Sequence, residues 1–127
     1  MKQRLLFAGL LLTLLSFTQD VFDGIVNSLK NSDAKHLSSY FSTSLDLTLL
    51  EKEEVYGKSQ AELMLRDFFT KHTTKSFEVV HRGRSQEGTE YAIGHLIDTN
   101  NKEYRISFYI RSNDGKAFIN ELRIEAD

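Results

Sequence analysis

The sequence contains no cysteine, which excludes disulfides, thiolate nucleophiles, cysteine-ligated zinc and a lipid-modified N-terminal cysteine. The fold must therefore rest on its core alone. Proline is absent as well, so glycine, asparagine and aspartate have to make every turn. Positive charge is not in surplus: 16 Lys and Arg stand against 18 Asp and Glu, a formal net charge of -2. That balance offers no basic footprint for neutralising phosphates, so no nucleic-acid partner is expected. Gly-x-Ser-x-Gly, a glycine-rich phosphate loop and His-Glu-x-x-His are all missing. The mechanisms those motifs carry are excluded, though not every enzyme. There is neither an internal repeat nor a low-complexity segment.

What remains is ordinary globular composition, with 40% hydrophobic and 27% charged residues over 127 positions, enough for one domain. The N-terminus is a different material. Lys2 and Arg4 precede an uncharged apolar run, Leu5 to Phe17, and small residues at Ser16 and Thr18 lead to Gln19. This is the pattern of a secretory signal peptide, residues 1–18. The run is shorter than the roughly 20 residues of a stable membrane anchor, so export to the periplasm or the medium is expected, with one domain over 19–127.

In the rest, the hydrophobic period switches along the chain. Asp20 precedes a helical stripe of Val21, Phe22, Ile25, Val26 and Leu29, and Asp33 can cap a shorter helix carrying Leu37, Tyr40 and Phe41. From Ser44, Leu45, Leu47 and Leu49 alternate with polar residues as a half-buried strand. Glu51, Glu53 and Glu54 read as a solvated hairpin turn. Ser59 and Glu62 have capping-box spacing ahead of a long helix to His72. In that helix Met64, Leu65 and Phe68 are expected on a sheet, and Leu63 and Phe69 against the first two helices. Four strand patterns follow. Their inward sets are Phe77, Val79 and His81; Tyr91, Ile93, His95 and Ile97; Tyr104, Ile106, Phe108 and Ile110; and Phe118, Asn120, Leu122 and Ile124. Asp114-Gly115 is the strongest hairpin signal. The order gives an α+β fold with helices on one face of a mainly antiparallel sheet.

That order resembles the nuclear transport factor 2-like (cystatin-like) fold, a cone shared by ketosteroid isomerase and polyketide cyclases. More narrowly, the segments 33–41 (DAKHLSSYF), 60–69 (QAELMLRDFF) and 121–125 (ELRIE) are similar to a family of small secreted bacterial proteins known as a domain of unknown function. The resemblance implies the fold and supplies no catalytic residues.

A cone of this kind implies a pocket between the long helix and the sheet. His81 and His95 share the inward parity and could form a proton-transfer pair or part of a metal site. Without a neighbouring carboxylate they are an incomplete constellation, and no metal or other cofactor is assigned. Tyr56, Tyr91 and Tyr104 could donate a hydrogen bond to a ligand, and Asn120 could face the cavity. His36 and His72 read as surface or helix-end residues. An isomerase of this fold needs a carboxylate base inside the cone, and none in the late strands shares the apolar parity. The outward residues Arg105, Tyr109 and Arg111 suit a homodimer face. These residues suggest a non-catalytic exported domain that binds a small molecule or protein. The alternatives are an isomerase- or cyclase-like enzyme and a homodimerisation module.

Overall fold

A computed structural model describes residues 19–85 and 87–127; the signal peptide assigned to 1–18 lies outside the described residues. The first helix, α1, covers 19–30 in that range. It buries Ile25 and Leu29 completely and Phe22 almost so. Ser32, at φ 54°, turns the chain. Asp33 then caps α2 (Ala34–Ser38), its carboxylate accepting the His36 amide at 3.0 Å. Phe41, expected on this helix, is instead the first residue of β1 (Phe41–Leu49) and is buried.

A two-residue turn at Leu50 and Glu51 leads to β2 (Lys52–Gly57). The acidic cluster is therefore split: Glu51 turns, while Glu53 and Glu54 lie in an exposed edge strand, where charge discourages further pairing. The next helix, α3 (Lys58–Lys71), has Gly57 at its N-cap with no side-chain bond, so the expected capping box does not form. Because β2 runs straight into the helix, Ser59 falls inside its first turn. Glu62 instead accepts from Ser38 Oγ at 2.8 Å and Arg66 at 2.6 Å, tying α3 to α2. Ala61, Leu65, Phe68 and Phe69 are buried, but Leu63, expected against the N-terminal helices, is 59% exposed.

Four strands follow as a meander: β3 (Thr74–Arg84), β4 (Glu90–Asp98), β5 (Glu103–Asn113) and β6 (Lys116–Ala126). The Asp114-Gly115 turn takes φ 52° and 77°, as its sequence predicts. The six strands form one curved sheet in the order β2-β1-β6-β5-β4-β3, antiparallel except where β1 joins β6. Among the described residues, all three helices contribute to the core. The Phe22 ring lies 5.9 Å from Phe108, and Phe68 meets Tyr104 edge-on at 5.6 Å. The α+β expectation is borne out.

Regular pairing fails at four places, one of them between Thr74 and Ser76 at the start of β3, and the other three matter to the site. In β3, Val79 pairs with Gly94 and His81 with Ile93, so Val80 is an extra residue. In β6, Ile119 pairs with Ile110 and Glu121 with Tyr109, leaving Asn120 as the extra residue. Between Phe41 and Asp46, β1 advances farther than β6 and the two strands lose register. Bulges of this kind re-aim side chains.

Candidate functional site

The two strand histidines face away from the helices. In β4 the buried residues are Ala92, Gly94, Leu96 and Asp98, while Tyr91, Ile93, His95 and Ile97 are half-buried on the outer face. The reason is steric: a Cβ on Gly94 would sit 2.4 Å from the Phe77 ring, so β4 is small where β3 is large. The Val80 bulge turns His81 outward too, where its Nε2 lies 3.2 Å from the Tyr91 hydroxyl. The inward placement expected for His81, His95 and Tyr91 is corrected accordingly. His95 does have carboxylate neighbours, with Nδ1 3.0 Å from Asp127 and Nε2 3.6 Å from Glu103. Asn120, expected in the inward register, occupies the β6 bulge, and Phe118 consequently pairs with Arg111 on the outer side. Arg105, Tyr109 and Arg111 point outward; Arg105 lies 3.9 Å from Glu125, and the Tyr109 ring 6.2 Å from Tyr91.

Tyr104 faces inward and belongs to a polar cluster that the sequence reading missed; its Asp98 ends β4 on the buried, inward parity, which corrects the expectation that no late-strand carboxylate does so. Its hydroxyl donates to Asp98 Oδ2 at 3.2 Å and lies 2.9 Å from His72 Nδ1, which is itself 3.3 Å from Asp98 Oδ2. These contacts are mutually satisfied when Nδ1 carries the His72 proton. Asp98 is completely buried, and its Oδ1 accepts the amides of Asn100 and Lys102 at 2.8 and 2.9 Å. Burial alone would raise its carboxyl, but the Lys102 and Asn100 amides, with His72 and Tyr104, hold it below its ordinary value. Burial, reinforced by the Asp98 charge, raises the Tyr104 hydroxyl. The cluster fastens the end of α3 to the β4–β5 turn, helped by the Thr99 amide on the Thr73 carbonyl at 2.9 Å. Two signals for it existed: Asp98 opens a turn of the Asp-Thr-Asn-Asn type, and Tyr104 has inward parity.

Beside the cluster, a pocket of about 210 Å³ opens between the β1–β2 hairpin and α3. Leu49, Leu50, Tyr56, Met64, Phe68 and His72 line it, together with the exposed Lys52, Asp67 and Lys71. Leu50 is held at φ 59°, a left-handed conformation that costs a leucine about 1–2 kcal/mol. The Glu54 carboxylate, with burial second, raises the Tyr56 hydroxyl, which remains a neutral donor. A separate cleft of about 620 Å³ lies where β1 parts from β6 and includes Asp46, Lys58, Arg111 and Asn120. Thus Tyr56 and Asn120 line different openings, and His81, His95 and Tyr91 line neither. Among the described residues no three His, Asp or Glu side chains gather as metal ligands.

A family model described as "Domain of unknown function (DUF4783)" matches residues 22–125. A solved protein of that family from Bacteroides fragilis superposes with a TM-score of 0.76 at 27% identity, covering 82% of this chain and 96% of its own. One from Bacteroides uniformis gives the same score and identity over 83% of this chain and 95% of its own. A domain of unknown function with a cystatin-like fold from Nostoc punctiforme shares the fold alone, at 10% identity and a TM-score of 0.67, over 88% of this chain and 76% of its own. No curated protein matches. The chain belongs to the DUF4783 family and has its nuclear transport factor 2-like, cystatin-like fold.

Proposed function

We propose that this protein is an exported, non-catalytic binding domain whose site is the pocket between the β1–β2 hairpin and α3. The observation that carries this reading is Leu50, a bulky residue kept in a left-handed conformation at the pocket's lip, 39% exposed. Glycine or asparagine would make the same turn without that cost, so the apolar side chain stands here at a conformational expense of the kind found at ligand-binding segments. An apolar lining together with the exposed Lys52 and Lys71 suits a small molecule with an apolar body and an anionic end. Both lysines have only exposed ion-pair partners, at 3.8 Å for Glu54 and 3.2 Å for Asp67, which are weak and exchangeable.

The export part rests on residues 1–18 and is tested by N-terminal sequencing of protein recovered from the native periplasm or medium. A chain starting at Gln19 supports it, and an intact N-terminus overturns it. Binding is tested by nitrogen-15 NMR with phenylacetate and longer aryl carboxylates. Shifts should cluster at Leu50, Tyr56, Met64 and His72, and Met64→Trp should abolish them. No response, or a response elsewhere, contradicts the site.

The isomerase- or cyclase-like alternative built on His81 and His95 loses support, because both lie away from the pocket. Homodimerisation through the outer face is favoured by one observation: the Tyr91 and Tyr109 rings lie 6.2 Å apart there, on the same face as an exposed Arg111. Light scattering decides it. A dimer that Arg105→Glu with Arg111→Glu dissociates would establish that reading, and a monomer at all concentrations would end it.

A further inference from the structure

The 620 Å³ cleft on the other side of the hairpin has a chemistry of its own. It exists because β1 and β6 lose register after Phe41, so Ser42 to Leu45 have no β6 partner across the gap. On the β6 side the gap meets the Asn120 bulge. Two oxygens there, Asp46 Oδ1 and Asn120 Oδ1, are buried without any hydrogen-bond partner, an arrangement that is costly unless a donor arrives. Lys58 and Arg111, also in the lining, have no ion-pair partner among the described residues. Phe118 supplies an aromatic surface. One cleft therefore offers unsatisfied acceptors, free cations, an apolar wall and a stretch of strand without a β6 partner. Its volume is that of a small-ligand site.

We propose that this cleft binds a short peptide in its zwitterionic form, a di- or tripeptide. Its ammonium group sits on Asp46 and Asn120, and its terminal carboxylate on Lys58 and Arg111. The peptide backbone lies along Ser42–Ser44, adding to the side of β1 that has no β6 partner there, while an apolar side chain packs on Phe118. A neighbouring carboxylate fits this reading. Glu121 pairs with Asp46 across the two strands, and burial first, then the Asp46 charge, raises its carboxyl. An incoming ammonium would relieve that repulsion.

The test is NMR and calorimetric titration of the purified exported chain with a panel of dipeptides bearing small, aliphatic or aromatic side chains. Each is also used N-acetylated and C-amidated. Free dipeptides should shift the amides of Ser42–Ser44, Asp46 and Asn120, and either block should weaken binding at least about tenfold. Asp46→Asn should weaken binding by a similar factor without lowering the urea midpoint, since it removes one of two facing negative charges; Arg111→Gln should mainly affect peptides with a free carboxylate. Blocked and free peptides binding equally, a response confined to the Leu50 pocket, or no response to any dipeptide would overturn the proposal.

Discussion

Both faces of the sheet carry aromatic and aliphatic side chains, but only one is closed. On the helix-covered face Phe77, Tyr104, Ile106 and Phe108 are buried; on the outer face Tyr91, Ile93, Ile97 and Tyr109 stay half-exposed. The difference teaches that burial here follows what the helices cover rather than how hydrophobic a strand position is. β4 makes the point. Its covered positions include the small Ala92 and Gly94, the Phe77 ring occupying the space that a side chain at Gly94 would need, while Tyr91, Ile93 and His95 stand on the outer face.

The contrast can be broken first at its strongest point. Phe68→Ala should lose about 3–5 kcal/mol, because its ring packs among Phe69, His72 and Tyr104. Urea unfolding checks this, and a loss below about 1 kcal/mol would remove α3 from the core. Next, Gly94→Ala should cost about 1–3 kcal/mol by overpacking against Phe77, whereas His95→Ala, one residue along on the outer face, should stay within about 0.5 kcal/mol. Equal losses would mean that the faces are not distinct at β4.

That same strand explains how far the sequence could be read. Strand β5 was legible because its inward residues, Tyr104, Ile106, Phe108 and Ile110, are large and its outward ones mostly polar. In β4 the alternation ran the other way, since small inward residues look like a solvent face until their neighbour across the sheet is known. The bulges at Val80 and Asn120 reversed parity within β3 and β6, and no residue type announces such an insertion. The Asp98–His72–Tyr104 cluster escaped for a different reason. Its members come from a turn, a helix end and a strand, brought together only by the β4–β5 hairpin and the seating of α3.

That cluster gives the next test of the covered face. Asp98 is held below its ordinary value in the folded chain. Its contribution is therefore present above the unfolded value of about 3.9 and is lost as pH falls through the folded value. Urea midpoints below about pH 4 should depend less steeply on pH in Asp98→Asn than in the parent chain; an unchanged slope would show that the carboxylate is not held in this way. The smallest effect belongs to the hairpin between the two openings. Leu50→Gly should leave stability unchanged or raise it by up to about 1 kcal/mol while weakening aryl carboxylate binding. A loss of more than about 1 kcal/mol would make Leu50 a core residue rather than the lip of a site.

The most direct test of the two-face account uses adjacent residues on one strand. Phe108 is fully buried under the helices, and Tyr109 follows it on the outer face. Each is changed separately to alanine and unfolded in urea. The account predicts a loss of about 3–5 kcal/mol for Phe108→Ala and about 1 kcal/mol or less for Tyr109→Ala; equal losses, or the reverse order, would contradict it.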